Sequence, residues 1–134
     1  MKSFKLTIAT PDELEFEGEV ESLLVRTAEG DAEILAGHTD FLSALGTGRV
    51  RISVNGEKRF ASASGGFVSV KGGEVSLVAT TFEFADDIDV KRAKAAKEKA
   101  EAELLAVADK NAETALKAKL ARASNRINVW ELNK

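Results

Sequence analysis

The sequence predicts an α+β chain, mostly β and then α. An N-terminal β-sandwich or flattened barrel spans residues 1–84, and a C-terminal antiparallel two-helix hairpin spans residues 85–134. Three observations carry this. All ten glycines, the single proline and all seven phenylalanines fall before residue 85, whereas the last 50 residues contain 13 alanines and no Gly or Pro. Alanine is the best helix former and Gly and Pro the worst, so the composition break marks a change of architecture. Apolar residues alternate with period two before the break and recur every three or four residues after it.

Taken in order, Phe4, Leu6 and Ile8 alternate with Lys5 and Thr7, the pattern of a half-buried strand, and Pro11-Asp12 stops it. Val20 to Thr27 holds the apolar run Leu23-Leu24-Val25, after which Glu29-Gly30-Asp31 turns the chain. Ile34-Leu35 is a short apolar pair before Gly37-His38. Val50, Ile52 and Val54 alternate again, and Asn55-Gly56 follows, a hairpin signal because both residues tolerate positive φ. Lys58 to Ala63 reads as the return strand. Gly65-Gly66 and Gly72-Gly73 bracket Phe67, Val68 and Val70, and Val75, Leu77 and Ala79 form the last clear strand. The glycine pairs read as tight turns.

Asp86 and Asp87 suit a helix N-terminus by capping and by the helix dipole. A first helix is expected from Ile88 to about Val107, with Ala93, Ala96, Ala100, Leu104 and Val107 on one face. After the polar break Asp109-Lys110-Asn111, a second starts near Ala112, with Ala112, Leu116, Leu120, Ala123, Ile127 and Trp130 in one stripe. Alanine at such contacts buries little surface, which predicts a weakly held, mobile hairpin; the alternative is one docked permanently on the sheet.

Composition excludes several functions. With no cysteine and one histidine, His38, neither a disulfide, a thiolate metal site nor a typical zinc site can form, and Thr39 alone is thin support for a nucleophile–base pair. His38 reads as structural or as a partner contact, and independent enzymatic activity is not expected. The net charge of -3 gives no overall case for nucleic-acid binding. No apolar run approaches the roughly 20 residues of a membrane span, and residues 1–13 lack a signal-peptide core, so a cytosolic or membrane-peripheral protein is the expectation.

Charge divides unevenly: residues 1–84 carry a net of -5 and residues 85–134 a net of +2. From Lys110 onward, Lys110, Lys117, Lys119, Arg122, Arg126 and Lys134 face only Glu113 and Glu131. This is either a solvated face or a contact for an acidic partner or anionic ligand. Arg122 and Arg126, four apart, lie side by side and can hold phosphate oxygens. Arg92 can join them if the hairpin folds back, and Asp89 can accept from an exocyclic amine. The competing reading of Asp89 and Arg92 is a plain intrahelical ion pair.

Five stretches in order resemble the epsilon subunit of bacterial F-type ATP synthase: Thr10-Pro11-Asp12, Phe16 to Val20, Gly30 to His38, Ser64-Gly65-Gly66-Phe67, and Ile88-Asp89-Val90-Lys91-Arg92-Ala93. The last matches an Ile/Leu-Asp-x-x-Arg-Ala motif associated in that family with ATP binding. Ala36 and Asp40 stand where the family usually has proline, Glu33 where glycine is common, and Lys99 where some members have arginine.

The resemblance implies a non-catalytic central-stalk subunit, peripheral to the cytoplasmic face of the bacterial membrane. The sandwich would dock on the gamma subunit and the c-ring, and the hairpin would inhibit ATP hydrolysis by extending to the beta (and alpha) subunits. His38, Lys117, Lys119, Arg122 and Arg126 are the implied partner contacts. No cofactor is implied as a requirement. ATP is implied as a regulatory ligand of the folded hairpin, held by Glu83, Ile88, Asp89, Arg92, Arg122 and Arg126. A free-standing nucleotide-binding sensor and an inert β-sandwich adaptor are the alternatives.

Overall fold

The computed structural model describes residues 2–133; Lys134, counted above in the basic segment, lies outside them. The expected architecture is borne out as ten strands in two five-stranded sheets followed by two helices. The strands are β1 (Phe4–Ala9), β2 (Leu14–Val20), β3 (Ser22–Thr27), β4 (Gly30–Leu35), β5 (Phe41–Ala44), β6 (Gly48–Val54), β7 (Glu57–Ser64), β8 (Phe67–Lys71), β9 (Glu74–Val78) and β10 (Thr81–Phe84). One sheet runs β2-β1-β9-β8-β5 and the other β10-β7-β6-β3-β4. Pairing is antiparallel except between β1 and β9. Leu6, Ile8, Val20, Leu23, Val25, Ile34, Ile52, Val68 and Leu77 are among the fully buried side chains between the sheets.

Sequence alternation missed β2, β5 and β10 and shortened β4. The stretch Val20 to Thr27 is not one strand: β2 ends at Val20, β3 begins at Ser22, and the chain changes sheet at Glu21. That residue is held by its N–H to the Ser53 carbonyl at 2.7 Å and by its carboxylate, which accepts from the Gly56 N–H at 3.3 Å. Asn55 (φ 52°) and Gly56 (φ 80°) form the expected positive-φ hairpin turn between β6 and β7. Gly66 is required for a second reason. A Cβ there would sit 1.8 Å from the Val78 carbonyl oxygen.

The first helix begins later than expected. A single 3-10 turn, Ala85–Asp87, takes up Asp86 and Asp87, and Ile88 stays extended. Helix α1 (Val90–Ala106) is capped by Asp89, whose carboxylate accepts from the Arg92 backbone N–H at 3.1 Å. Asp89 therefore does not form the expected side-chain ion pair with Arg92; its oxygen satisfies a helix-end donor instead. Helix α2 (Lys110–Leu132) starts two residues earlier than expected because Asp109 caps it, accepting from the Asn111 N–H at 2.9 Å.

Helix α1 packs on α2, and α2 lies against β6 and β7. Along the expected stripes, Ala93, Ala100, Leu116 and Ala123 are buried, whereas Ala96 is exposed. Val129, which the stripe omitted, is fully buried with Ala85 and Ile88 in a second small core flanked by Phe60 and Trp130.

Candidate functional site

Residues from three elements meet where the hairpin rests on the sandwich. Strand β10 contributes Thr81, Phe82 and Glu83, the start of α1 contributes Asp89, Arg92, Ala93 and Ala96, and α2 contributes Arg126. They line a cleft of about 330 Å³ floored by Ser62 of β7. Ala96, exposed rather than packed, is small enough to leave this space open.

Arg126 Nε lies 3.5 Å from Glu83 Oε1, so the cleft wall is an ion pair between sheet and helix. Burial pushes the Glu83 carboxyl above the ordinary glutamate value of 4.5. Arg126 offsets this in part, Asp87 adds to it, Arg92 lowers it and Asp89 raises it. The dominance of burial means that the neighbouring guanidinium does not fully compensate the lost hydration of the carboxylate.

A second cleft of about 280 Å³ opens between the helices, lined by Ala96, Lys99, Glu103, Lys119, Arg122 and Arg126 among others. Ala96 and Arg126 border both clefts, so the two adjoin. One is mixed in charge, with Glu83 and Asp89 against Arg92 and Arg126. The other is basic, with four cationic side chains against Glu103. The pair can take an elongated ligand with a neutral hydrogen-bonding end and an anionic end.

Of the six residues expected to hold a nucleotide, Glu83, Asp89, Arg92 and Arg126 line the first cleft, and Arg122 with Arg126 the second. Ile88 lines neither. Its side chain is buried with Val129 and Ala85, because a large apolar residue at the foot of the hairpin gains more from that core than from a polar cleft. Sequence reasoning missed Thr81, Ser62 and Ala96, which carry no charge or motif signal, and assigned Lys119 only to partner contact.

The basic residues of α2 do not form one face. Lys117 pairs with Glu113 at 2.8 Å along the exposed helix surface, whereas Lys119, Arg122 and Arg126 turn to the clefts. His38 is half-buried between β4 and β5, its Nδ1 at 2.7 Å from the Thr39 carbonyl and its ring 5.1 Å from that of Phe41. Asp40 accepts from the Gly72 N–H at 3.0 Å, tying this loop to the β8–β9 turn.

The face of the β2-β1-β9-β8-β5 sheet turned away from the hairpin carries Ala9, Val78, Phe67 and Ala44 in one continuous cross-strand register. Leu42 beside them is 70% exposed and Phe67 42%. This is an apolar patch rimmed by Lys5, Glu17, Glu74 and Lys71.

Residues 3–85 match the family model described as ATP synthase, delta/epsilon chain, beta-sandwich domain, and residues 86–131 match its long alpha-helix domain. The chain belongs to the ATP synthase delta/epsilon family. An ATP synthase epsilon chain of Bacillus pumilus is 39% identical over 132 residues, covering 96% of this chain and 98% of that one. One from Staphylococcus epidermidis is 36% identical over 133 residues, covering 98% and 99%. A chain in the Euglena gracilis mitochondrial ATP synthase structure, comprising OSCP, F1 and c-ring, superposes with a TM-score of 0.82 at 25% identity, over 92% of this chain and 78% of that one. A chain of the Tetrahymena thermophila central stalk and c-ring shares the fold, at a TM-score of 0.60 and 15% identity. The resemblance to bacterial epsilon subunits drawn from five short stretches is thereby borne out along the whole chain.

Proposed function

We propose that this chain is a non-catalytic rotor subunit of a bacterial F-type ATP synthase whose hairpin senses ATP. The observation that carries the reading is the juxtaposition of Glu83, Asp89, Arg92 and Arg126 in one cleft that exists only while α2 lies on the sheet. The adenine amine would be accepted by Asp89 or Glu83, and the phosphates would lie toward Arg122, Arg126, Lys99 and Lys119. Because the cleft is assembled from sandwich and hairpin together, ATP binds the docked arrangement and disfavours the extended one. Once released, the basic second helix would engage an acidic surface of the catalytic head and inhibit hydrolysis. Calorimetry with ATP, ADP and GTP on the isolated chain tests the ligand. The expected result is an ATP heat that Arg126→Ala abolishes, and equal heats for the two proteins would overturn it. Truncation after Asp87 is expected to raise ATP hydrolysis by the assembled enzyme; unchanged hydrolysis would remove the inhibitory role.

The bare apolar face around Phe67, Val78 and Leu42, with the His38 loop at its edge, supports docking on the gamma subunit and the c-ring. Co-elution with a gamma subunit in gel filtration, lost in Leu42→Glu, is the expected outcome. Failure of the unaltered chain to co-elute would favour a free-standing nucleotide-binding sensor.

A further inference from the structure

The first cleft holds two carboxylates and two guanidiniums, Glu83 and Asp89 against Arg92 and Arg126, so its formal charge is balanced before any ligand enters. Arg126 is engaged by Glu83 at 3.5 Å. The oxygens of Asp89 have a separate duty, since one caps α1 by accepting from Arg92 N–H. An oligophosphate that draws on Arg126 therefore removes the partner of Glu83 and brings further negative charge toward it. The groups facing Glu83 from each neighbouring element are Arg126 of α2, Asp89 and Arg92 at the start of α1, and Asp87 of the 3-10 turn. Ser62 and Thr81 supply only hydroxyls. Among the described residues, Arg92 is the one other cation that lines this cleft.

We propose that Glu83 is the proton-binding group of this cleft, and that an oligophosphate takes Arg126 with uptake of one proton on Glu83. The inference rests on the nucleotide reading above and adds a second ligand, the proton, to that site. The balance is simple. The Glu83–Arg126 ion pair breaks, a solvent proton adds to the Glu83 carboxylate, and the Arg126 guanidinium passes to a phosphate oxygen. The neutral carboxyl then becomes a donor as well as an acceptor. The alternative, a carboxylate left charged beside phosphate oxygens in a half-buried cleft, combines desolvation with like-charge repulsion. Burial already holds the Glu83 carboxyl above the ordinary glutamate value in the free protein, and Arg126 offsets this only in part. Nucleotide sensing would on this account respond to acidification, with protons and ATP favouring the same docked hairpin.

The test compares ATP affinity of the full chain and of Glu83→Gln, which carries a permanently neutral side chain, by calorimetry between pH 5.5 and 7.5. Protonation of ATP itself cancels in the ratio of the two affinities. For one coupled proton, the affinity of the unaltered chain relative to Glu83→Gln falls as pH rises, by up to about tenfold per pH unit. Parallel pH profiles in two proteins that both bind would overturn the proton coupling and leave the nucleotide reading standing. Absence of binding by both at every pH would overturn the nucleotide reading and the coupling with it. A second measurement needs no variant. The carboxyl ¹³C shift of Glu83 in the unaltered chain is expected to titrate at a higher pH with saturating ATP than without it, and an unmoved or lowered midpoint would overturn the proposal.

Discussion

Replacing Asn125 by alanine isolates the force that holds the hairpin down. The Asn125 Nδ2 group donates to the Gly48 carbonyl at 2.9 Å and to Ser62 Oγ at 2.8 Å, reaching from α2 across both strands on which it lies. Gly48 and Ser62 are buried and Asn125 is half-buried. A neutral hydrogen bond contributes about 1 kcal/mol net, so losing two weakens docking by about 2 kcal/mol. That corresponds to about a 30-fold shift of the docking equilibrium. Alanine is also the better helix former by about 0.5 kcal/mol, but docked and undocked helices share that gain and it cancels. The assay uses Trp130, the only tryptophan, which flanks the small core of Ala85, Ile88 and Val129. Its emission in increasing urea reports docking, while amide exchange at buried strand residues such as Leu6 and Leu23 reports the sandwich. Asn125→Ala is expected to lower the Trp130 transition by that amount and to leave strand protection unchanged. Ser62→Ala, which leaves the Gly48 bond, should show about half the effect. An unmoved Trp130 transition, or an equal loss in hairpin and strands, would refute the assignment of docking to these bonds.

Asp89→Ala is expected to lose about 1 kcal/mol of helix stability through the missing cap, whereas Asp89→Asn keeps the cap and loses only the charge. Comparing their thermal melts with their ATP heats separates the two roles. Gly66→Ala should destabilise the sandwich by at least about 2 kcal/mol in urea unfolding, since its Cβ would meet the Val78 carbonyl and its φ of 88° is strained for any other residue. Docking should also depend on pH. Glu83 holds its proton more tightly in the docked state, so its contribution is greatest at low pH, where the carboxyl is neutral. The contribution is lost as pH rises above about 4.5 through the raised docked value. The Trp130 transition should follow this in the unaltered chain and become flatter in Glu83→Gln.

The elements legible in the sequence were those whose pattern is local. Val50 to Val54 alternates around a turn that Asn55-Gly56 can adopt and few other pairs can, so strand, turn and return strand were all readable. Strand β2 was not, because Glu15, Glu17 and Glu19 give it low strand propensity and Gly18 interrupts the apolar side. Only pairing with β1, Phe4 against Val20 through Ile8 against Phe16, makes it a strand. The short edge strands β5 and β10 owe their existence to neighbours in the same way. At the site, charge and motif pointed to Asp89, Arg92, Arg122 and Arg126, and the family resemblance added Glu83. They could not distinguish the roles within Ile88-Asp89-Val90-Lys91-Arg92-Ala93. Folding divides these: Ile88 enters the core, Asp89 caps the helix, and Arg92 faces the cleft. Asn125 and Val129 were invisible because their importance comes from what lies opposite them, Gly48 and Ser62 for the first, Ala85 and Ile88 for the second.

These roles bear on how a ligand would control the arm. The hairpin is attached through α2, by Asn125, by Val129, by the Glu83–Arg126 pair and by the Asn133 amide on Asp86 at 2.7 Å. A ligand bridging β10 and Arg126 exchanges the Glu83–Arg126 pair for its own contacts and leaves the other attachments in place. Since an undocked hairpin has no cleft, the full binding free energy favours docking, amounting to about 2.7 kcal/mol when ATP stands at 100 times its dissociation constant. That is close to the contribution of the two Asn125 hydrogen bonds. ATP at that excess should therefore return the Trp130 transition of Asn125→Ala to its unaltered position, and should fail to do so when Arg126→Ala is added. If ATP bound Asn125→Ala yet left its Trp130 transition where it was, the cleft would have to exist in the undocked hairpin as well, and the coupling between ligand and arm would be lost.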